Sequence, residues 1–232
     1  MFAALLAALA GAIAGLLHVF SGPDHLAAVA PLSIEHGRKS WNVGLRWGVG
    51  HSVGVMLLGL LLLLLKEVLP LEWISSWAER LVGVVLIGIG LWGLRKAFAN
   101  KVHVHAHQHD GHDHAHLHVH DTRTAHAPAL RSAHRHSHAV LGVGLLHGLA
   151  GGSHLVSMVF ALTFPTRQQT AAFVVAYALG TLVAMSSFST LVGWIALRCS
   201  GGGRVAYRNL MFVCSSAALL LGGYWLLAPV GH

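Results

Sequence analysis

Long apolar runs broken by short polar stretches dominate the chain. Crossing the hydrocarbon core of a bilayer takes about 20 residues of helix, and six runs meet that measure: 2–34, 43–65, 77–98, 139–164, 171–197 and 208–230. The third has a clean apolar core only from Leu81 to Leu94, so it starts near Trp77 with Glu79 and Arg80 at the interface. The first is too long for one simple crossing and carries Gly22-Pro23 inside it. The pattern predicts an all-α integral membrane protein of about six transmembrane helices.

Composition supports the membrane assignment. Hydrophobic residues make up 55% of the 232 and charged residues only 10%, with a mean hydropathy of +0.64. A soluble domain carries about 25% charged residues. The net charge of +7 would suit nucleic acid, but the Lys and Arg flank the apolar runs and form no basic face with interleaved aromatics. Nucleic acid is therefore excluded as a partner, and the lipid bilayer takes its place. Counted over alternating loops, twelve Lys and Arg fall on one side and three on the other. The positive-inside rule then puts both termini outside and the central loop in the cytoplasm of a cell that holds this chain in its inner membrane. The first fifteen residues lack the basic start of a signal peptide and are expected to stay in the mature protein. Two cysteines, Cys199 and Cys214, have no metal-motif spacing and read as packing residues.

An internal repeat sets the expected architecture. Gly15-Leu16-Leu17-His18 aligns with Gly144-Leu145-Leu146-His147, Gly22 with Gly151, and His25-Leu26 with His154-Leu155, all without a gap. Downstream, Trp47-Gly48-Val49-Gly50 resembles Tyr177-Ala178-Leu179-Gly180, where His51 faces Thr181. The chain divides into a first three-helix repeat (1–98), a His-rich cytoplasmic loop without a fold of its own (99–138) and a second three-helix repeat (139–232). Three crossings per half is an odd number, so the second half must be inverted relative to the first. Inverted repeats whose broken first helices meet near the midplane are a recurrent transporter design.

Ionisable groups within the bilayer line sites or pathways. The candidates are His18, Asp24, His25, His51, His147 and His154, with Ser21 and Ser153 as lesser ones. Imidazole suits nickel, cobalt, copper and zinc, and one carboxylate adds charge without making an oxygen-only cage. In an unbroken helix, residues seven apart stand about 10.5 Å apart along the axis, too far to share an ion. The helix must therefore break between His18 and His25. Gly22-Pro23 supplies the break, because proline removes an amide donor and turns the preceding residue out of the helical region. Gly151-Gly152 can do the same in the second half. Pro23 would open a new half-helix whose positive end repels cations, which Asp24 offsets. The alternative is that these histidines only bridge helices through hydrogen bonds. The glycines at 48, 50, 54, 83, 88 and 90 are expected to allow close helix packing.

Thirteen of the 20 histidines lie between Lys101 and His138. His103, His105, His107, His109, His112, His114, His116, His118 and His120 alternate with small, apolar or acidic residues. A tract of this kind offers several exchangeable sites for nickel, zinc, cobalt or copper and reads as a cytoplasmic metal buffer or delivery arm, with a metallochaperone as a partner.

The stretch HVFSGPDHLAAVAPL, followed by RWGVGHSVG, resembles the nickel/cobalt transporter superfamily, which includes high-affinity uptake permeases, nickel/cobalt efflux proteins and urease-accessory membrane proteins. The likeness is best over the first two helices and next at the HGLAG segment of His147. The uptake permeases carry four residues between the histidine and Asp-His, where this chain has five. The His-rich loop between the third and fourth helices is similar to the efflux branch.

Together these features predict secondary transport of a divalent ion, Ni2+ or Co2+ ahead of Zn2+, by rocking of one half against the other. No Gly-rich loop ending in Gly-Lys-Ser/Thr is present, so ATP is not the expected energy source. One rival is a metal-storing accessory protein serving urease or hydrogenase. Another is an intramembrane metalloenzyme, although no general base or nucleophile accompanies the histidines; the chain is expected not to be an enzyme and to hold no catalytic cofactor. The ion, direction, coupling and oligomeric state stay open.

Overall fold

A computed structural model describes residues 1–65, 71–98, 102–109, 112–119, 132–150, 160–201 and 204–227. The described residues are almost entirely helical. Its helices are α1 (Phe2–Ser21), α2 (Pro23–His36), α3 (Ser40–Leu65), α4 (Leu71–Phe98), α5 (Ser132–Ala150), α6 (Arg167–Gly201) and α7 (Arg204–Leu227). Among the described residues, five stretches are long and apolar enough to cross a membrane: Phe2–Ser21, Pro23–Leu61, Glu79–Phe98, Arg167–Cys199 and Val205–Leu227. Ala139–Ala150, the apolar part of α5, is shorter and leads into undescribed residues. Leu5, Leu9, Ile13, Leu17 and Phe20 on α1, and comparable rows on the other long helices, are exposed. That much apolar surface is a lipid face rather than a water face. The protein is an integral membrane protein of the all-α class.

The break in the first run lies where Gly22 and Pro23 stand. Gly22 has φ −92° and ψ 95°, an extended conformation, and α2 begins with Pro23 at its first position. The Gly22 amide donates to the His18 carbonyl at 3.2 Å, which closes the end of α1. Half of α2 is buried, and it packs against α3, α4, α6 and α7, so it forms the centre of the bundle.

The packing follows the repeat. Helix α1 lies along α6, and α5 lies along α3, while α4 pairs with α7. Gly11 abuts the Phe173 carbonyl and Gly15 the Tyr177 carbonyl, so α1 and α6 run parallel. The same relation joins α5 to α3, where Gly144 abuts the Trp47 carbonyl and Gly148 that of His51. Each contact has its counterpart under the repeat: Gly15 on Tyr177 matches Gly144 on Trp47, and Gly180 on Ala12 matches Gly50 on Leu141. Gly83 meets Gly222 and Gly90 meets Ser215, so α4 and α7 are antiparallel. These directions are those of six alternating crossings related by a pseudo-two-fold axis. Of the glycines expected to pack closely, Gly48, Gly50, Gly54, Gly83 and Gly90 do so; Gly88 faces open space.

One end of the bundle gathers the C-termini of α2, α4 and α6 and the N-terminus of α7. Ile34, Ala97, Ala196, Tyr207 and Met211 form a core cluster there, with Cys214 packed against it. Glu35 pairs with Lys96 at the same end, and the Lys96 ammonium also lies 4.9 Å from the Trp92 ring. Arg198 covers Trp194 in the same manner at the end of α6.

Two differences from the sequence pattern stand out. Helix α5 begins at Ser132, seven residues before its apolar run, because a helix can continue beyond the bilayer edge on polar residues that hydropathy does not register. Within the loop expected to lack a fold, Val102–His109 (β1) and His112–Val119 (β2) form an antiparallel pair. Strict alternation of histidine with other residues has the period of a strand. His120, His154, Ser153 and the Gly151-Gly152 pair lie outside the described residues.

Candidate metal centre

The break at Gly22 folds α1 and α2 so that His18 and His25 meet, with ring centroids 4.7 Å apart and planes perpendicular. An intact helix would hold them at about twice that distance. Glycine is required at the break for space, because a Cβ at Gly22 would collide with the His25 ring. Helix α3 brings His51, stacked 5.6 Å from His18 and 4.9 Å from His25. Helix α5 brings His147, 4.7 Å from His25 and 5.9 Å from His51. His25, His51 and His147 are buried, while His18 and Asp24 are partly so. Ser21 is exposed at the rim and donates to the His18 carbonyl.

Asp24 connects two of these imidazoles. His25 donates from Nδ1 to Asp24 Oδ1 at 2.9 Å, and His147 donates from Nε2 to Asp24 Oδ2 at 3.0 Å. An ionised carboxylate only accepts hydrogen bonds, so both rings must present N–H to it. That fixes opposite tautomers, in which the second nitrogen, Nε2 of His25 and Nδ1 of His147, carries the lone pair that can ligate a metal.

Two overlapping groups of donors result. His18, His25 and His51 bring one ligand atom each within 4.8 Å of one another, and so do Asp24, His25 and His147. Ligand nitrogens around a tetrahedral ion at 2.0–2.1 Å lie about 3.4 Å apart, a difference that ring rotation can close. His25 belongs to both groups. The structure thus brings together five of the six membrane residues singled out by sequence, the sixth being His154 outside the described residues.

Two aromatic residues complete the walls and were noted in the sequence only as repeat markers. Trp47 is fully buried, stacks on His51 at 4.8 Å and 10°, and lies 5.4 Å from His25 and 5.2 Å from His147. Tyr177 lies 5.7 Å from His18. The pairs His147–Trp47 and His18–Tyr177 are equivalents under the repeat. The signal for Trp47 was its place four residues before His51, which puts both on one helix face. Thr181, in the place of His51 in the second half, is fully buried but offers a hydroxyl rather than an imidazole. The two halves therefore contribute unequally to the centre. Cys199 and Cys214 are free thiols. Cys199 lies at the end of α6 and Cys214 well inside α7, about 15 Å along its axis from the helix start, so they form no redox pair.

Comparison with known proteins agrees with a membrane-embedded helical core. Chloroplast protein FOR GROWTH AND FERTILITY 1 of Arabidopsis thaliana is 36% identical over 190 residues, which are 82% of this chain and 50% of that protein. Chloroplast protein FOR GROWTH AND FERTILITY 2 of the same plant is 36% identical over 82% of this chain and 47% of its own length. The chain thus spans about half the length of these two curated relatives. Urease accessory protein UreH of Bacillus sp. (strain TB-90) is 28% identical over 79% of this chain and 74% of its own length. No solved structure matches. Residues 11–225, nearly the whole bundle, match the family described as the cytochrome C biogenesis protein transmembrane region, and the chain belongs to that family.

Proposed function

We propose that this chain carries a divalent transition-metal ion, nickel or cobalt in preference to zinc, across the membrane by secondary alternating access. The observation that carries the proposal is the pair of overlapping three-donor groups that share His25 at the broken helix. Imidazole donors with one carboxylate suit this class of ion. A shared ligand offers two adjacent resting positions, so an ion can pass from Asp24, His25 and His147 to His18, His25 and His51 without leaving the protein. Trp47 and Tyr177 bound the positions and exclude water. Energy comes from an ion gradient or the membrane potential. The basic end of the bundle faces the cytoplasm, the termini lie outside, and the His-rich loop collects or delivers ions on the cytoplasmic side. Similarity to the nickel/cobalt transporter superfamily over HVFSGPDHLAAVAPL supports this choice of ions.

The test is flux of radioactive nickel in proteoliposomes, with cobalt and zinc as competitors and His25→Ala beside the wild type. Protein-dependent flux that the substitution abolishes supports the proposal; equal flux in both overturns the site.

A second reading, a membrane accessory protein that holds metal for an enzyme, is favoured by the relative that bears the name urease accessory protein. Tight binding without flux in either direction, even under a proton gradient, would select it. Catalysis is not proposed: within the centre Asp24 is the one described carboxylate, and both its oxygens already accept from imidazoles.

A further inference from the structure

Three buried serines have no part in the metal centre. Ser33, Ser189 and Ser215 are fully buried, and among the described residues their hydroxyls have no hydrogen-bond partner. A buried hydroxyl without a partner is destabilising, and polar groups retained inside a bilayer mark pathways.

Two of the three stand in line with the centre. Helices α2 and α6 run side by side in the same direction, since Val29 and Met185 share one core cluster and Ile34 and Ala196 another. Steps of four residues, about 6 Å each, then descend from the centre in register: His25, Val29 and Ser33 on α2, and Thr181, Met185 and Ser189 on α6. Helix α3 runs the opposite way and brings His51, Trp47 and Gly44 to the same three levels. Trp47 packs in one cluster with Val29 and Met185, and a Cβ at Gly44 would lie 2.6 Å from Ser189 Oγ. One turn further, Gly193 makes room for the hydroxyl of Ser40, which is also buried. A histidine layer, an apolar layer and a hydroxyl layer thus succeed one another toward the basic end of the bundle.

We infer that this seam between α2, α3 and α6 is the passage by which the hydrated divalent ion moves between the centre and the basic end, with Ser33 and Ser189 lining it. Hydroxyls compete poorly with imidazole for this class of ion, but they can hold its water shell through hydrogen bonds, so the ion is passed on rather than retained. Val29, Trp47 and Met185, all fully buried, close the passage in this structure. Helix α2 is the element suited to open it. It starts at the extended Gly22, ends at Gly37 with φ 50°, and contains Pro31, which cannot donate to the Ala27 carbonyl. Element-terminal residues of this kind act as hinges when a packed helix moves. The inference rests on the transport reading, but its test uses no flux, so the two can fail separately.

The test is thiol accessibility. In a Cys199→Ser, Cys214→Ala background of the full-length protein, Ser33→Cys, Ser189→Cys, Ser215→Cys and Leu191→Cys are made singly. Ser215 faces Gly93, beside Pro31, where α4 meets α7, and Leu191 is exposed on the outer face of α6. Membrane vesicles of either polarity receive a charged, membrane-impermeant methanethiosulfonate, and the remaining thiols are counted after denaturation. A thiol reacts as the thiolate, which needs water. Ser33→Cys and Ser189→Cys should therefore be modified roughly tenfold or more faster than Ser215→Cys and Leu191→Cys, and only from the side of the basic end. Serine to cysteine adds little volume, and either position alone tests the seam. Labelling without nickel flux would keep the passage as a one-sided route for loading the centre. Flux without labelling, or labelling of Ser215→Cys in place of the other two, would overturn it.

Discussion

His147 Nε2 lies 3.0 Å from Asp24 Oδ2, although 123 residues separate the two along the chain. This bond joins the two halves of the repeat at the point where the first helix breaks. It also gives Asp24 a defined task, since one carboxylate accepts from both His25 and His147 and sets which nitrogen of each ring is turned toward an ion.

Asp24→Asn tests that task. An amide cannot accept from both imidazoles with two oxygens, so one ring loses its orientation and its tautomer. Orientation of imidazoles by a carboxylate is by itself worth about 10–100-fold in metal affinity, and Asp24 is also one of the three donors of its group. Nickel binding by the purified variant should weaken by at least that range, while its circular dichroism and elution volume remain those of the wild type.

Binding should weaken as the pH falls. An imidazole ligates a metal only when neutral, so ion and proton compete for the same nitrogen, and loading releases protons. Affinity should decline on the order of tenfold per pH unit for each proton displaced. Calorimetry in buffers of different ionisation enthalpy counts those protons. Proton release is expected only at pH low enough to protonate the imidazoles, and an affinity that does not fall there would show that the histidines are not the ligands.

Steric substitutions at the helix crossings have a built-in control. A Cβ at Gly15 or Gly144 would run into a backbone carbonyl of the facing helix, whereas one at Gly88 meets nothing within 4 Å. Gly15→Val and Gly144→Val should each destabilise the protein by about 1–3 kcal/mol, the usual effect of overpacking. Gly88→Ala should leave thermal unfolding in detergent unchanged.

The pair between Glu35 and Lys96 ties the end of α2 to the end of α4. Both side chains are about a quarter exposed, which limits the coupling to roughly 1 kcal/mol after screening. In a double-mutant cycle, Glu35→Lys and Lys96→Glu should each lower the melting temperature, and their combination should restore most of the loss.

Much of this arrangement was legible before any coordinates. The broken helix could be deduced because two histidines seven apart cannot share a site on an intact one, and Gly22-Pro23 was the only plausible hinge between them. Gathering of His18, Asp24, His25, His51 and His147 followed from placing ionisable groups inside a bilayer. Trp47 and Tyr177 escaped notice as site residues because an aromatic in an apolar run carries no chemical signature of its own. The start of α5 at Ser132 lay outside what hydropathy can mark, since it registers the lipid boundary rather than the end of a helix.

The pairing of α1 with α6 and of α5 with α3 also bears on how such a chain is made. During synthesis α1 enters the membrane with its glycine-lined face uncovered, and the surface that fits Gly11 and Gly15 lies on a segment beginning at Arg167. The N-terminal three helices therefore cannot complete their packing alone. They must wait, inserted but open, until the fifth crossing arrives from the ribosome, and a chain truncated before that point would leave a nascent bundle without its closing piece.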